Sequence, residues 1–150
     1  MMEIFVDADA CPVKDEVYAV AARLGLWVVV VANQRIHVPR DLGVEQVVVE
    51  DGADAADDWI AERIRPGDVV VTADIPLASR CLEVGAYALG THGREFTQES
   101  IGGALATRDI KASIRETGSL TGGPPPLTVQ DRSRFSNALD RIAQRERQKN

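Results

Sequence analysis

The sequence predicts an α/β fold: three α/β/α layers around an open, mainly parallel sheet of four to five strands. Three observations carry that expectation. Short, almost continuously apolar runs recur at Ile4-Phe5-Val6, Trp27 to Ala32, Val47-Val48-Val49 and Val69-Val70-Val71. They are rich in β-branched residues, as strands covered on both faces are. Segments with apolar residues at helical spacing lie between them. Strand and helix therefore alternate, which favours parallel strands joined by right-handed crossovers.

Each element follows in order. After Ile4-Phe5-Val6, the stretch Pro12 to Leu24 carries Val13, Val17, Val20 and Leu24 at helical spacing, and Gly25 is its stop. Trp27 to Ala32 is the second strand. Gln34 to Gly43, with Pro39 inside it, reads as a loop. The third strand precedes a helix from Asp54 to Ile64, closed by Pro66-Gly67. The fourth strand leads into a short helix over Pro76 to Val84, and Tyr87-Ala88-Leu89 is a shorter fifth strand after Gly85. Gln98 to Arg115 reads as a further helix, despite its Gly102-Gly103 pair. Residues 1–117 then form the α/β domain, residues 118–129 a Gly/Pro-rich linker, and residues 130–150 a basic amphipathic helix carrying Phe135, Leu139 and Ile142. Packing on the domain uses those apolar residues most directly. Joining a second copy as a homodimer, or lying on nucleic acid, are the other roles open to it.

A chain of 150 residues fits one core. Aromatic residues are only 5% of it, so that core must come from Val, Ile, Leu and Ala. No apolar run is long enough to span a membrane, and Glu3 and Asp7 interrupt the first apolar stretch with no basic segment before it. A cytoplasmic location is the expectation. Cys11 and Cys81 form no metal or redox motif and read as reduced, separate thiols, with a bridge between them the alternative. Charge is uneven. Residues 1–93 carry 7 basic and 16 acidic side chains, a net −9; residues 94–150 carry 10 and 7, a net +3. That asymmetry permits a metal site in one part and a phosphate-contacting surface in the other. Ordinary solvated surface accounts for it equally well.

In open α/β sheets, ligands bind at the carboxyl ends of the strands. Asp7 and Asp9 follow the first strand, Asn33 the second, Thr72 and Asp74 the fourth, and Thr91, His92 and Arg94 the fifth. Asp54, Asp57 and Asp58 open the helix after the third. At about 100° per residue, Asp57 points within roughly 60° of Ile60 and roughly 20° of Ile64, while Asp58 points away. An inward carboxylate is costly unless something pairs with it. Helix capping is the plainer explanation for Asp54 and Asp58, and individually for Asp9 and Asp74. It does not explain the direction of Asp57. Close carboxylates need a cation or a proton between them, and hard oxygen donors favour Mg²⁺ or Mn²⁺. The expected metal ligands are Asp7, Asp57, Asp58 and Asp74, with Asp7, Asp9, Asp57 and Asp74 as the catalytic set. Lys14, Asn33, Thr72, Arg80, His92 and Arg94 are the expected substrate contacts. His37 reads as a loop residue.

Asp7-Ala-Asp-Ala-Cys-Pro-Val-Lys14, Asp54-Ala-Ala-Asp-Asp58, Gly67-Asp-Val-Val-Val-Thr-Ala-Asp-Ile-Pro-Leu-Ala78 and the Gly93-Arg94 turn together resemble the YaiI/YqxD family of bacterial proteins. The resemblance covers almost the whole chain. It implies a PIN-like fold, a group whose active members are Mg²⁺- or Mn²⁺-dependent ribonucleases. Such a site has an Asp ending the first strand, an acid in a central helix and an Asp ending the fourth strand. Asp7, Asp57 (or Asp58) and Asp74 match those places, whereas Asp9 is not where a typical PIN nuclease has its fourth acid. The leading expectation is thus a metal-dependent phosphodiesterase acting on RNA. A haloacid-dehalogenase-like phosphatase, with Asp7 as nucleophile and Asp9 as acid, is an alternative. A non-catalytic RNA- or protein-binding module with a vestigial acidic site is another.

Overall fold

A computed structural model describes residues 2–39, 43–50, 54–102 and 127–149. Its strands are β1 (Glu3–Asp7), β2 (Trp27–Ala32), β3 (Val44–Val48), β4 (Val69–Val71), β5 (Tyr87–Leu89) and β6 (Glu95–Phe96). They form one sheet in the order β3-β2-β1-β4-β5-β6. Every neighbouring pair is parallel except β5 and β6. The sheet thus has six strands among the described residues, one more than the upper expectation. The addition is β6, a two-residue strand too short to leave a periodic signal, held antiparallel to β5 through Ala88–Phe96 and Leu89–Glu95.

The helices are α1 (Lys14–Leu24), α2 (Ala55–Arg63), α3 (Ile75–Glu83) and α4 (Val129–Gln148). Residues 98–102 are also helical. The rest of the helix expected to Arg115, and the linker up to residue 126, lie outside the described residues.

Strand alternation sorts the core into two faces. Ile4, Val6, Val28, Val30, Val69 and Val71 point to one, where α1 supplies Val17 and Val20 and α4 supplies Phe135, Leu139 and Ile142. Phe5, Val29, Val31, Val70 and Ala88 point to the other, against Ile60 of α2 and Leu77 and Ala78 of α3. Phe135, Leu139 and Ile142 are fully buried, and each such side chain contributes about 1.5–3 kcal/mol of transfer free energy. That burial holds α4 on the domain. Cys11 lies in the first face and Cys81 in the second. The sheet separates them, and both are free thiols.

The topology places a crevice. From β1 the chain steps to β2 and β3 on one side, then crosses to β4 on the other side of β1. The carboxyl ends of β1 and β4 flank this reversal, the point where open α/β sheets bind ligands.

Candidate functional site

Asp7 is the last residue of β1. Thr72 follows β4 directly and is 1% exposed. Its hydroxyl donates to Asp7 Oδ2 at 2.9 Å and accepts the Asp74 backbone N–H at 3.0 Å. One buried hydroxyl thus joins the ends of both strands at the crevice. Its donor and one acceptor position are both engaged, so Thr72 braces the acids.

Asp74 is the N-cap of α3, with Oδ1 accepting from Leu77 N at 3.0 Å. The capping explanation therefore holds for this residue, and one carboxylate oxygen remains for other partners. Asp57, in the first turn of α2, faces Asp74 closely enough for the two carboxyls to share a proton. Partial burial, then the charges of Asp74, Asp7 and Asp54, and last that shared proton, raise its pKa from 3.8 to about 6. The Asp7 carboxyl is also pushed up, chiefly by burial and further by Asp74 and Asp9, against the lowering effect of the Thr72 hydrogen bond. Asp7, Asp57 and Asp74 are thus brought together electrostatically from β1, α2 and the start of α3.

Asp58 stands apart. It is exposed and pairs with Arg80 Nη1 at 2.8 Å. Arg80 is accordingly an ion-pair partner on the surface between α2 and α3. Asp54 is the N-cap of α2 but makes no side-chain capping bond, contrary to the capping expected of it. Asp9 does not cap α1, whose N-cap is Val13. Its Oδ1 instead accepts from Asn33 N at 3.0 Å, tying the turn after β1 to the end of β2. Asn33 Oδ1 is buried there without a hydrogen-bond partner. Lys14 Nζ donates to the carbonyls of Ala8 at 3.1 Å and Cys11 at 3.0 Å, which fixes the same turn. His92 and Arg94 are exposed on the turn between β5 and β6.

Sequence reasoning missed Asp68, which is buried and accepts from Glu3 N at 2.9 Å and Arg65 N at 3.0 Å. It locks the amino ends of β1 and β4, opposite the crevice. Its position just after Gly67, before an apolar strand, was the available signal.

Among the described residues, no three His, Cys, Asp or Glu side chains stand close enough to enclose a metal ion. No helix among them is long and apolar enough to cross a membrane.

The family model described as "Uncharacterized BCR, YaiI/YqxD family" matches residues 5–145. A UPF0178 protein of Rhodopseudomonas palustris is 56% identical over 149 residues, covering 97% of this chain and 94% of the relative. A UPF0178 protein of Paramagnetospirillum magneticum is 55% identical over 140 residues, covering 93% of both. One from a Caulobacter species is 57% identical, again covering 93% of both. No solved structure matches. These matches extend over both halves of the sheet and α4, and the chain belongs to the YaiI/YqxD family.

Proposed function

We propose that the chain is a Mg²⁺- or Mn²⁺-dependent phosphodiesterase acting on RNA, with Asp7, Asp57 and Asp74 as its metal-holding carboxylates. The observation that carries the reading is their convergence at the β1/β4 reversal, where the charges of Asp74 and Asp7 add to burial in raising the proton affinity of Asp57. Carboxylates held together against their own repulsion suit a site that gains a cation. The donors are all hard oxygens, and the orphaned Asn33 Oδ1 near Asp9 is another. Mg²⁺ keeps several waters and takes one or two carboxylates directly. Since no three of the described His, Cys, Asp or Glu side chains enclose an ion as they stand, at least part of the set would ligate through water.

When bound, a divalent ion supplies Lewis acidity, activating water and stabilising charge on a phosphoryl oxygen. The protein's part is to hold the acids. Thr72 fixes Oδ2 of Asp7, leaving Oδ1 for the crevice. Asp74 is held by its own capping bond. Asp9 fixes the turn after β1 through Asn33, and with it the direction of Asp7. The order of these acids along the chain agrees with the PIN-like resemblance.

The phosphatase alternative gains no comparable support. Of the described lysines, Lys14 is bound to main-chain carbonyls and Lys149 lies over Tyr87. The test is cleavage of single-stranded RNA with Mn²⁺ by the native chain and by Asp7→Asn. Cleavage that the variant loses supports the reading. Equal cleavage by both, or none by either alongside retained RNA binding, favours the binding module.

A further inference from the structure

The basic character of α4 has two sources that the structure separates. Most of its cations are engaged on the domain. Arg132 reaches Glu16 and the Pro12 carbonyl, Arg145 reaches Glu95 and lies over the Tyr87 ring, Arg147 meets the Leu24 carbonyl, and Lys149 also lies over Tyr87. Arg134 and Arg141 differ. Both are exposed and line, with Val129, Gln130, Ser133 and Asn137, an open trough of about 450 Å³ along the outer face of the helix. At about 100° per residue, Ser133 and Asn137 lie opposite the buried stripe of Phe135, Leu139 and Ile142, while Arg134 and Arg141 lie about 80–140° and about 100–160° away from its members, along one flank of the outer face. Among the described residues, no acidic side chain lines the trough. The helix acids are turned elsewhere: Asp131 to the Thr128 cap, Asp140 to Arg23 and Glu146 to Tyr87. Arg134 also pairs with Asp131 at 3.3 Å, but within the same helix, so unlike Arg132 and Arg145 it is not drawn onto the domain.

The trough begins at the sheet edge that carries the acids. The turn after β5 presses on α4 at Gly93, whose φ is +90. A Cβ there would stand 2.8 Å from Arg134 C and Phe135 N. This close approach sets exposed His92 and Arg94 beside the amino end of α4. Asp131 registers the nearness: its carboxyl is held low first by the Thr128 backbone N–H, and also by the charge of His92.

We infer that the α4 trough, reached from the β5–β6 turn, is a contact track for the phosphodiester backbone of single-stranded RNA, with Arg134 and Arg141 as its phosphate contacts. Ser133, Asn137 and Gln130 add neutral hydrogen-bonding groups, the usual companions of arginine on phosphate and sugar. The inference rests on the proposed function for its choice of polyanion. It goes further in naming which of the chain's many cations make the contact.

The experiment measures binding of a fluorescein-labelled oligouridylate across a salt series, in EDTA so that no cleavage occurs. Each phosphate contact on a single strand contributes about 0.7 to the slope of log affinity against log salt. Arg134→Gln/Arg141→Gln should therefore lower the slope by about 1.4 and weaken binding at low salt. Arg145→Gln removes one equal charge from the same helix and should leave the slope unchanged. Thermal unfolding of the double variant should match the native chain, since both side chains are exposed. An unchanged slope in the double variant overturns the inference. So does an equal loss in Arg145→Gln, which would mean a net-charge effect, and so does failure of the native chain to bind the oligonucleotide. Mn²⁺-dependent hydrolysis of bis(p-nitrophenyl) phosphate, a substrate too small for the track, reports the acid site separately. That site can stand while the track fails.

Discussion

Replacing Asp57 by Asn should stabilise the fold at neutral pH, and the size of the gain follows from the site. The native state raises the Asp57 pKa from 3.8 to about 6. Between those values the native state holds a proton that the unfolded chain releases. Stability therefore falls as pH rises through that window, and the full cost is present above about pH 6. At 1.36 kcal/mol per pH unit, the rise corresponds to roughly 3 kcal/mol without screening. The carboxylate is only partly buried, and solvent screening brings the expectation to about 1 kcal/mol. Asn keeps the shape and can still donate to Asp74. Urea unfolding at pH 8 should show a higher midpoint for Asp57→Asn with an unchanged slope, and the two midpoints should coincide near pH 4. Saturating Mn²⁺ should reverse the order at pH 8, because only the native site gains the ion's full binding free energy. A variant less stable at pH 8 without metal, or equally stabilised at both pH values, would refute the electrostatic account of the cluster.

Three further outcomes follow from the same geometry. Thr72→Val should cost about 1–3 kcal/mol in urea unfolding, since it leaves Asp7 Oδ2 and Asp74 N without their partner; Thr72→Ser should restore most of the loss. Asp58→Asn should change stability by less than about 1 kcal/mol, because its pair with Arg80 is exposed, and calorimetry should show a far smaller loss of Mn²⁺ affinity than in Asp7→Asn. Gly93→Ala should lower the urea midpoint, because it puts a Cβ against the α4 backbone at a positive φ.

Much of the scaffold is legible because burial leaves local patterns. β1, β2, β4 and β5 lie within the sheet and read as apolar runs. β3 is harder to place because it is an edge strand. Glu45 and Gln46 interrupt its pattern, so the apolar signal starts only at Val47, whereas the strand spans Val44–Val48. β6 exists through pairing alone. The site divides in the same way. The inward phase of Asp57 follows from helix geometry, so it can be read from Ile60 and Ile64. The partners of Asp9, Lys14 and Arg80 cannot be read so. Asp9 meets a main-chain N–H that lies 24 residues away, and Arg80 meets an acid 22 residues away. The arginines of α4 make the same point. Composition marks them as basic, but only the fold shows that Arg132 and Arg145 are drawn onto the domain by Glu16 and Glu95 while Arg141 lines a trough with no acid among the described residues.

The central claim is that Asp7, Asp57 and Asp74 form a divalent-metal site at the β1/β4 reversal. Anomalous scattering from crystals soaked in Mn²⁺ tests it directly. The account predicts a peak between Asp7 and Asp74, within direct or water-bridged reach of Asp57. Crystals saturated with Mn²⁺ that show no peak there would contradict it.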